Sequence, residues 1–219
     1  MSDLTKDNLK IFTPYSLVLI NKHMIKYTAN DIEAMFNKYE RQISHVVVAH
    51  TFHRPFIASV NKGKFKDIRA DQYFKSKLVQ TSKDTRHALN HFYKLLYPDR
   101  TNRPVRRPDL YKPLTFVTIE GAKETLDRSQ TIHINLSLGN LPSVLTTEDI
   151  GTLFRHAWHD MAHQSADVKA IEYYKVDGTS HWAGYKLKEA QQEPHKAWDT
   201  DSIWDVSNCW IPHAALKAD

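Results

Sequence analysis

Apolar side chains recur along this chain with two different periods, and the changes between them mark out its elements. Asn30 and Glu33 make a capping-box pattern ahead of Ile32, Met35, Phe36, Tyr39 and Ile43, which predicts a helix over 30–43. The β-branched run 45–52 (HVVVAHTF) reads as a strand. Ala88, Leu89, Phe92, Leu95 and Leu96 return to helical spacing, predicting a second helix from Ser82 that stops before Pro98. Two strands follow, 114–120 (LTFVTIE) and 131–138 (TIHINLSL), with polar residues 123–130 as the turn of a hairpin. Thr146 and Asp149 cap a helix whose stripe is Ile150, Leu153, Phe154, Ala157, Trp158 and Met161. A fourth strand is expected at 168–176 and a short helix at 180–191, with Trp198, Trp204 and Trp210 in a tail that packs back. Without the first helix and the tail the order is β-α-β-β-α-β. That is a split βαβ, ferredoxin-like α+β fold: one antiparallel sheet, helices on one face and the other face open.

Composition adds boundaries. The 219 residues, 41% hydrophobic and 25% charged, suit one globular domain: a core at about 45–190, a helical extension over 1–44 and a Trp-rich tail over 194–219. No run approaches the roughly 18 apolar residues of a membrane helix. The first residues lack a basic-then-apolar leader, and one cysteine, Cys209, leaves no internal disulfide and no cysteine-based zinc site. The expectation is a cytoplasmic protein with no membrane partner. The net charge of +5 is modest but unevenly spread. Lysines and Arg69 crowd 61–83, and the stretch 98–113 places Arg100, Arg103, Arg106, Arg107 and Lys112 among four prolines. Prolines keep that stretch out of helix and sheet. It reads either as a semi-rigid phosphate-contacting loop or as a solvated connector.

The strand 131–138 carries the chemistry. Ile132, Ile134, Leu136 and Leu138 point to one side, and Thr131, His133, Asn135 and Ser137 to the other. A symmetric hairpin turning near Leu126–Asp127 sets Glu120 opposite His133 and Thr118 opposite Asn135, about 5 Å apart on one face. Imidazole, carboxylate and amide oxygen then suit Mg²⁺ or Mn²⁺ better than a structural zinc. A one-residue slip turns Glu120 away, with Glu124 as its substitute. The alternative is a polar, solvated sheet face without a ligand.

At these residues the chain resembles the HUH endonuclease superfamily, in particular rolling-circle replication initiators of plasmids and small phages. The match to that family's His-hydrophobic-His strand is His133-Ile134-Asn135, with asparagine in the second histidine's place. Its Tyr-x-x-Lys helix motif is matched by Tyr185-Lys186-Leu187-Lys188, and the strand 45–52 stands loosely for its first motif. Of 13 histidines only His133 has such a residue two places on, and of 10 tyrosines only Tyr185 has lysine three places on. The resemblance covers about residues 45–190. It implies metal-dependent nicking and joining of single-stranded DNA at a replication origin, through a 5′-phosphotyrosyl link made by Tyr185. Lys188 would assist, and Glu120, His133 and Asn135 would hold Mg²⁺ or Mn²⁺. No GxxxxGK[ST] loop is present, so unwinding and synthesis would fall to a host helicase and polymerase.

Two other classes remain open. His159-Asp160-Met161-Ala162-His163 is similar to the HExxH helix of zinc hydrolases, with His156 beside it, but Asp160 is short for the glutamate's task. A non-catalytic nucleic-acid binder on the same sheet would display aromatic residues for base stacking. The polar face here offers His133, Asn135 and Ser137 instead.

Overall fold

The computed structural model describes residues 29–57, 70–122, 127–173 and 204–212. Four strands form one antiparallel sheet: β1 (Ile43–His50), β2 (Leu114–Glu120), β3 (His133–Gly139) and β4 (Val168–Glu172). Their order across the sheet is β2-β3-β1-β4, an α+β layout compatible with the expected ferredoxin-like arrangement. Helix α1 (Ala29–Tyr39) precedes β1, and α2 (Ala70–Leu95) lies between β1 and β2. Two short helices, α3 (Arg103–Arg106) and α4 (Pro108–Tyr111), lead into β2, and α5 (Thr147–Arg155) lies between β3 and β4. Among the described residues no helix is long and apolar enough to cross a membrane.

The expected stripe of α5 is the keel of the core. The capping box is present, with Thr146 and Asp149 each satisfying the other's backbone N–H. Ile150, Phe154, Ala157 and Trp158 are fully buried against Val47, Ile134, Leu136 and Leu138 of the sheet. After Arg155 the helix widens into a π-helical turn, His156–Met161. Helix α2 adds Leu89 and Phe92 to this core, with Phe92 edge-on to Phe154 at 5.3 Å. It begins twelve residues before the expected start at Ser82. Phe74 and Leu78 continue its stripe, but Thr81 and Thr85 follow them into the core and break the apolar pattern. Thr85 satisfies its buried hydroxyl on the Thr81 carbonyl, one turn back.

The second face of the sheet is not open. Phe36 and Tyr39 of α1, Tyr173 and Trp204 pack over Val46, Leu114 and Phe116 as a separate cluster. Residues 204–210 run along the free edge of β2, with bridges Thr118 to Trp204 and Thr115 to Trp210, so the tail does fold back. The cover extends to polar positions. Thr118, Asn135 and Ser137 are buried, and Glu120 is 0% exposed, which rules out a solvated sheet face.

The proline-rich stretch also differs from expectation. Pro98 opens a 3₁₀ turn (Pro98–Arg100), and Pro104 and Pro108 stand in the first turns of α3 and α4. Proline lacks only an N–H that no helix start uses, so these prolines seed short helices. Helix 30–43 ends earlier than expected, with Glu40–Gln42 as a 3₁₀ turn before β1 starts at Ile43. The expected helix 180–191 and Trp198 lie outside the described residues.

Candidate active site

The hairpin register is the one the alternation predicts. Glu120 pairs with His133, Thr118 with Asn135 and Phe116 with Ser137. Ile134, Leu136 and Leu138 turn to the helices, which sends His133, Asn135 and Ser137 to the opposite face. On the other flank of β3, His50 pairs with His133 and Val48 with Asn135. Glu120, His133 and His50 therefore form one row across three adjacent strands. His133 Nε2 lies 3.3 Å from Glu120 Oε2, and the His133 and His50 rings are 5.1 Å apart. The row ends on Asp167, whose Oδ2 is 3.9 Å from His50 Nε2, while His50 Nδ1 is 2.9 Å from the Thr131 hydroxyl.

Gly121 makes room for this row. It leaves β2 with φ of 75°, and a Cβ there would stand 2.6 Å from the Thr131 carbonyl oxygen and 3.3 Å from His133 Nδ1. Gly121→Ala is expected to lower unfolding free energy by roughly 1–3 kcal/mol and to displace the His133 ring. Urea unfolding together with the His133 ring resonances in an NMR spectrum checks both. Unchanged ring shifts in a destabilised variant would show that Gly121 serves the turn alone.

A carboxylate withdrawn from water costs several kcal/mol of desolvation unless partners offset it. His133, 21% exposed, supplies one such partner. Three other atoms here, His133 Nδ1, Asn135 Nδ2 and Thr118 Oγ1, are buried with no hydrogen-bond partner among the described residues. Native cores rarely leave such groups unmet, and their grouping beside Glu120 makes this face the candidate site. Which end of the Asn135 amide is oxygen is set by whatever it faces. Burial first, and the neighbouring His133 second, hold His50 below the ordinary 6.5 of an imidazole, with Asp167 pulling the other way.

The backbone beneath the row is held on both sides. His50 N–H donates to the Asp167 carbonyl, and its own carbonyl accepts Trp158 Nε1 at 2.8 Å. Beyond it, Thr51 N–H donates to Ile132 O and Ile132 N–H to His53 O. His53 Nε2 meets Asp84 Oδ2 of α2 at 2.8 Å, and Gln80 and Gln164 donate to the same carboxylate. This network ties the end of β1 to α2.

Sequence reasoning brought together Glu120, His133 and Asn135, and the structure places all three on one face. It placed Thr131 on the same polar face without a role, and it missed His50, Gly121 and Asp167. His50 had a signal, since it alternates with Val46 and Val48 on its strand. Tyr185, Lys188 and Glu124 lie outside the described residues. Of the basic residues, Arg100, Arg106 and Arg107 are exposed and Arg103 is half-buried. Lys112 does not join them: its ammonium stacks over the Trp210 ring at 4.9 Å and that of Tyr93 at 5.7 Å. The hydrolase-like segment loses its helical face. His159 Nδ1 is engaged with the Gln164 carbonyl, Asp160 with His156, and His163 lies past the helix at a φ of 55°. Among the described residues no group of three or more His, Cys, Asp or Glu side chains is placed to hold a metal ion. Glu120 and His133 make two such groups, and Asn135 would bring an amide. No family model, no curated protein and no solved structure matches this chain.

Proposed function

We propose that this chain is an HUH-type endonuclease that nicks and rejoins single-stranded DNA through Tyr185, in the manner of a rolling-circle initiator. The observation that carries the reading is the buried Glu120 facing His133, with Asn135 two positions along the same polar face. The strand order β2-β3-β1-β4, with helices in both crossovers, supports a split βαβ of the kind that family uses.

The residues fit Mg²⁺ or Mn²⁺. Two ligand atoms on adjacent corners of an octahedron with bonds of about 2.1 Å stand about 3 Å apart. His133 Nε2 and Glu120 Oε2 stand at 3.3 Å, and Asn135, whose Nδ2 has no partner among the described residues, would offer its amide oxygen once the amide is turned over. When bound, the ion would supply positive charge to the scissile phosphate. The protein's own groups do the rest. The Tyr185 oxygen forms a bond to phosphorus as its proton leaves, the bond from phosphorus to the 3′-oxygen breaks, and that oxygen takes up a proton. Lys188, three residues on, would offset charge on a phosphate oxygen. His50 would keep the His133 ring in place from the side away from Glu120.

A covalent-adduct assay tests this reading. Protein is incubated with a randomised single-stranded DNA pool and Mn²⁺, with EDTA as control, then run on a denaturing gel. A metal-dependent shifted band is expected. Its absence, from protein that binds single-stranded DNA, would move the reading to a non-catalytic binder. In the same assay His133→Ala is expected to lower adduct yield about 10–100-fold, the usual scale for disturbing a metal site. Excess Mn²⁺ should recover part of the loss. Full adduct yield from His133→Ala at limiting Mn²⁺ would remove His133 from the ligand set.

A further inference from the structure

The guanidinium groups are not near the Glu120–His133 pair. Residues 98–113 feed into Leu114, and six residue steps of β2, about 20 Å at roughly 3.3 Å each, separate Leu114 from Glu120. At that far end Asp99, Arg100, Thr101, Asn102, Arg103 and Arg106 line a single shallow depression. It gathers three guanidinium groups against one carboxylate. Among the described residues no salt bridge engages Arg100, Arg103 or Arg106.

Tyr111 holds one of these arginines directly. Arg103 donates to its hydroxyl and lies over its ring at 5.3 Å. The Arg103 hydrogen bond first, with a smaller contribution from Arg100, holds the phenol below its ordinary 10.0. The Tyr97 ring stands edge-on to Tyr111 at 5.1 Å. Beside the charge lie two large apolar side chains left in water, Val105 at 73% and Leu110 at 69% exposed.

We propose that this depression is a second nucleic-acid subsite, in which Arg100, Arg103 and Arg106 hold backbone phosphates of a single strand while its bases lie on the Tyr97, Tyr111, Val105 and Leu110 surface. Guanidinium groups gathered in one depression, with no carboxylate bridged to them among the described residues, match phosphate oxygens. A free phosphate ion would need the charge alone. Aromatic and apolar surface beside it is what an unstacked base needs, and a duplex hides its base faces. The separation from Glu120 means that one strand reaches both places only by running the length of β2. The inference takes its partner from the single-strand reading above, and its test does not depend on the nicking chemistry.

The experiment is fluorescence anisotropy in EDTA, so that nothing is cleaved, using a labelled single strand of about 16 nucleotides across a salt series. Arg100→Gln/Arg106→Gln and Tyr111→Phe are compared with the unaltered protein. Both arginines are exposed, and circular dichroism confirms that the variants fold. The double variant is expected to bind at least tenfold more weakly. Its plot of log affinity against log salt should flatten by about 0.7 for each phosphate that is no longer held, which a merely structural role would not do. Tyr111→Phe, which frees the Arg103 guanidinium without removing it, should weaken binding less and leave the slope nearly unchanged. Inorganic phosphate should compete only as far as its ionic strength explains, and a duplex of equal length should bind more weakly. An unchanged slope in the double variant overturns the subsite. Displacement by inorganic phosphate at matched ionic strength makes it a small-anion site and overturns the nucleic-acid assignment. Equal, arginine-dependent binding of duplex overturns the single-strand assignment. Arginine-dependent binding without any adduct in the nicking assay would sink the nicking reading and leave this inference standing.

Discussion

Tyr185→Phe is expected to abolish the covalent DNA adduct, a loss of at least about a thousandfold, while single-strand affinity stays within about twofold. The substitution removes one oxygen and keeps the ring, so it deletes the nucleophile and little else. The size of the loss depends on whether another phenol can take its place. Tyr93 cannot, because it is fully buried, its hydroxyl donates to Thr115, and burial drives its pKa up. Tyr111 has the more acidic phenol but belongs to the Leu114 end of β2, about 20 Å from Glu120 at the usual strand rise. Neither reaches a phosphate held beside His133. Denaturing gels of both proteins with the same selected oligonucleotide and Mn²⁺ give the comparison. Equal adduct from the two would refute Tyr185 as nucleophile. A loss of DNA binding in parallel with the adduct would mean that the hydroxyl holds substrate.

What could be read in advance divides along the range of the interactions involved. The β2–β3 register was legible because β3 alternates with period two, and a symmetric hairpin turning near Leu126–Asp127 then sets Glu120 opposite His133. The capping box of α5 was legible for the same local reason. His50 was not found, because nothing local decides which residue of β1 stands beside His133. The cover over the polar face was missed too. It comes from α1 and from residues 204–212, segments at opposite ends of the chain that meet only in three dimensions. That omission changed the chemistry: Glu120 was read as a candidate metal ligand on an open sheet face, and it is a carboxylate enclosed beside an imidazole. The early half of α2 was lost to Thr81 and Thr85, which read as polar but are both buried in the core, Thr85 with its hydroxyl bonded to the Thr81 carbonyl. The π-helical turn has no sequence period of its own at a single turn.

That turn is where the core and the candidate site meet, and Trp158→Ala is expected to cost about 3–5 kcal/mol of unfolding free energy. Trp158 is completely buried, stacks on Phe154 at 6.0 Å, and is the largest fully enclosed side chain among the described residues. Against a typical total of about 5–15 kcal/mol, such a loss leaves a domain with little reserve. The indole also does what bulk alone would not, since Nε1 donates to the His50 carbonyl at 2.8 Å. Trp158 makes this bond from within the widened turn at 156–161. Trp158→Phe separates the two contributions. It restores most of the volume and leaves the His50 carbonyl without its donor, a cost of about 1–3 kcal/mol. Urea unfolding of the three proteins measures these differences, and the His50 and His133 ring resonances report on the row. If the indole hydrogen bond holds His50 in place, Trp158→Phe moves both rings despite its smaller loss of stability. Ring shifts that stay fixed in Trp158→Phe would show that Thr131 and Asp167 position His50 by themselves, with Trp158 serving the core alone.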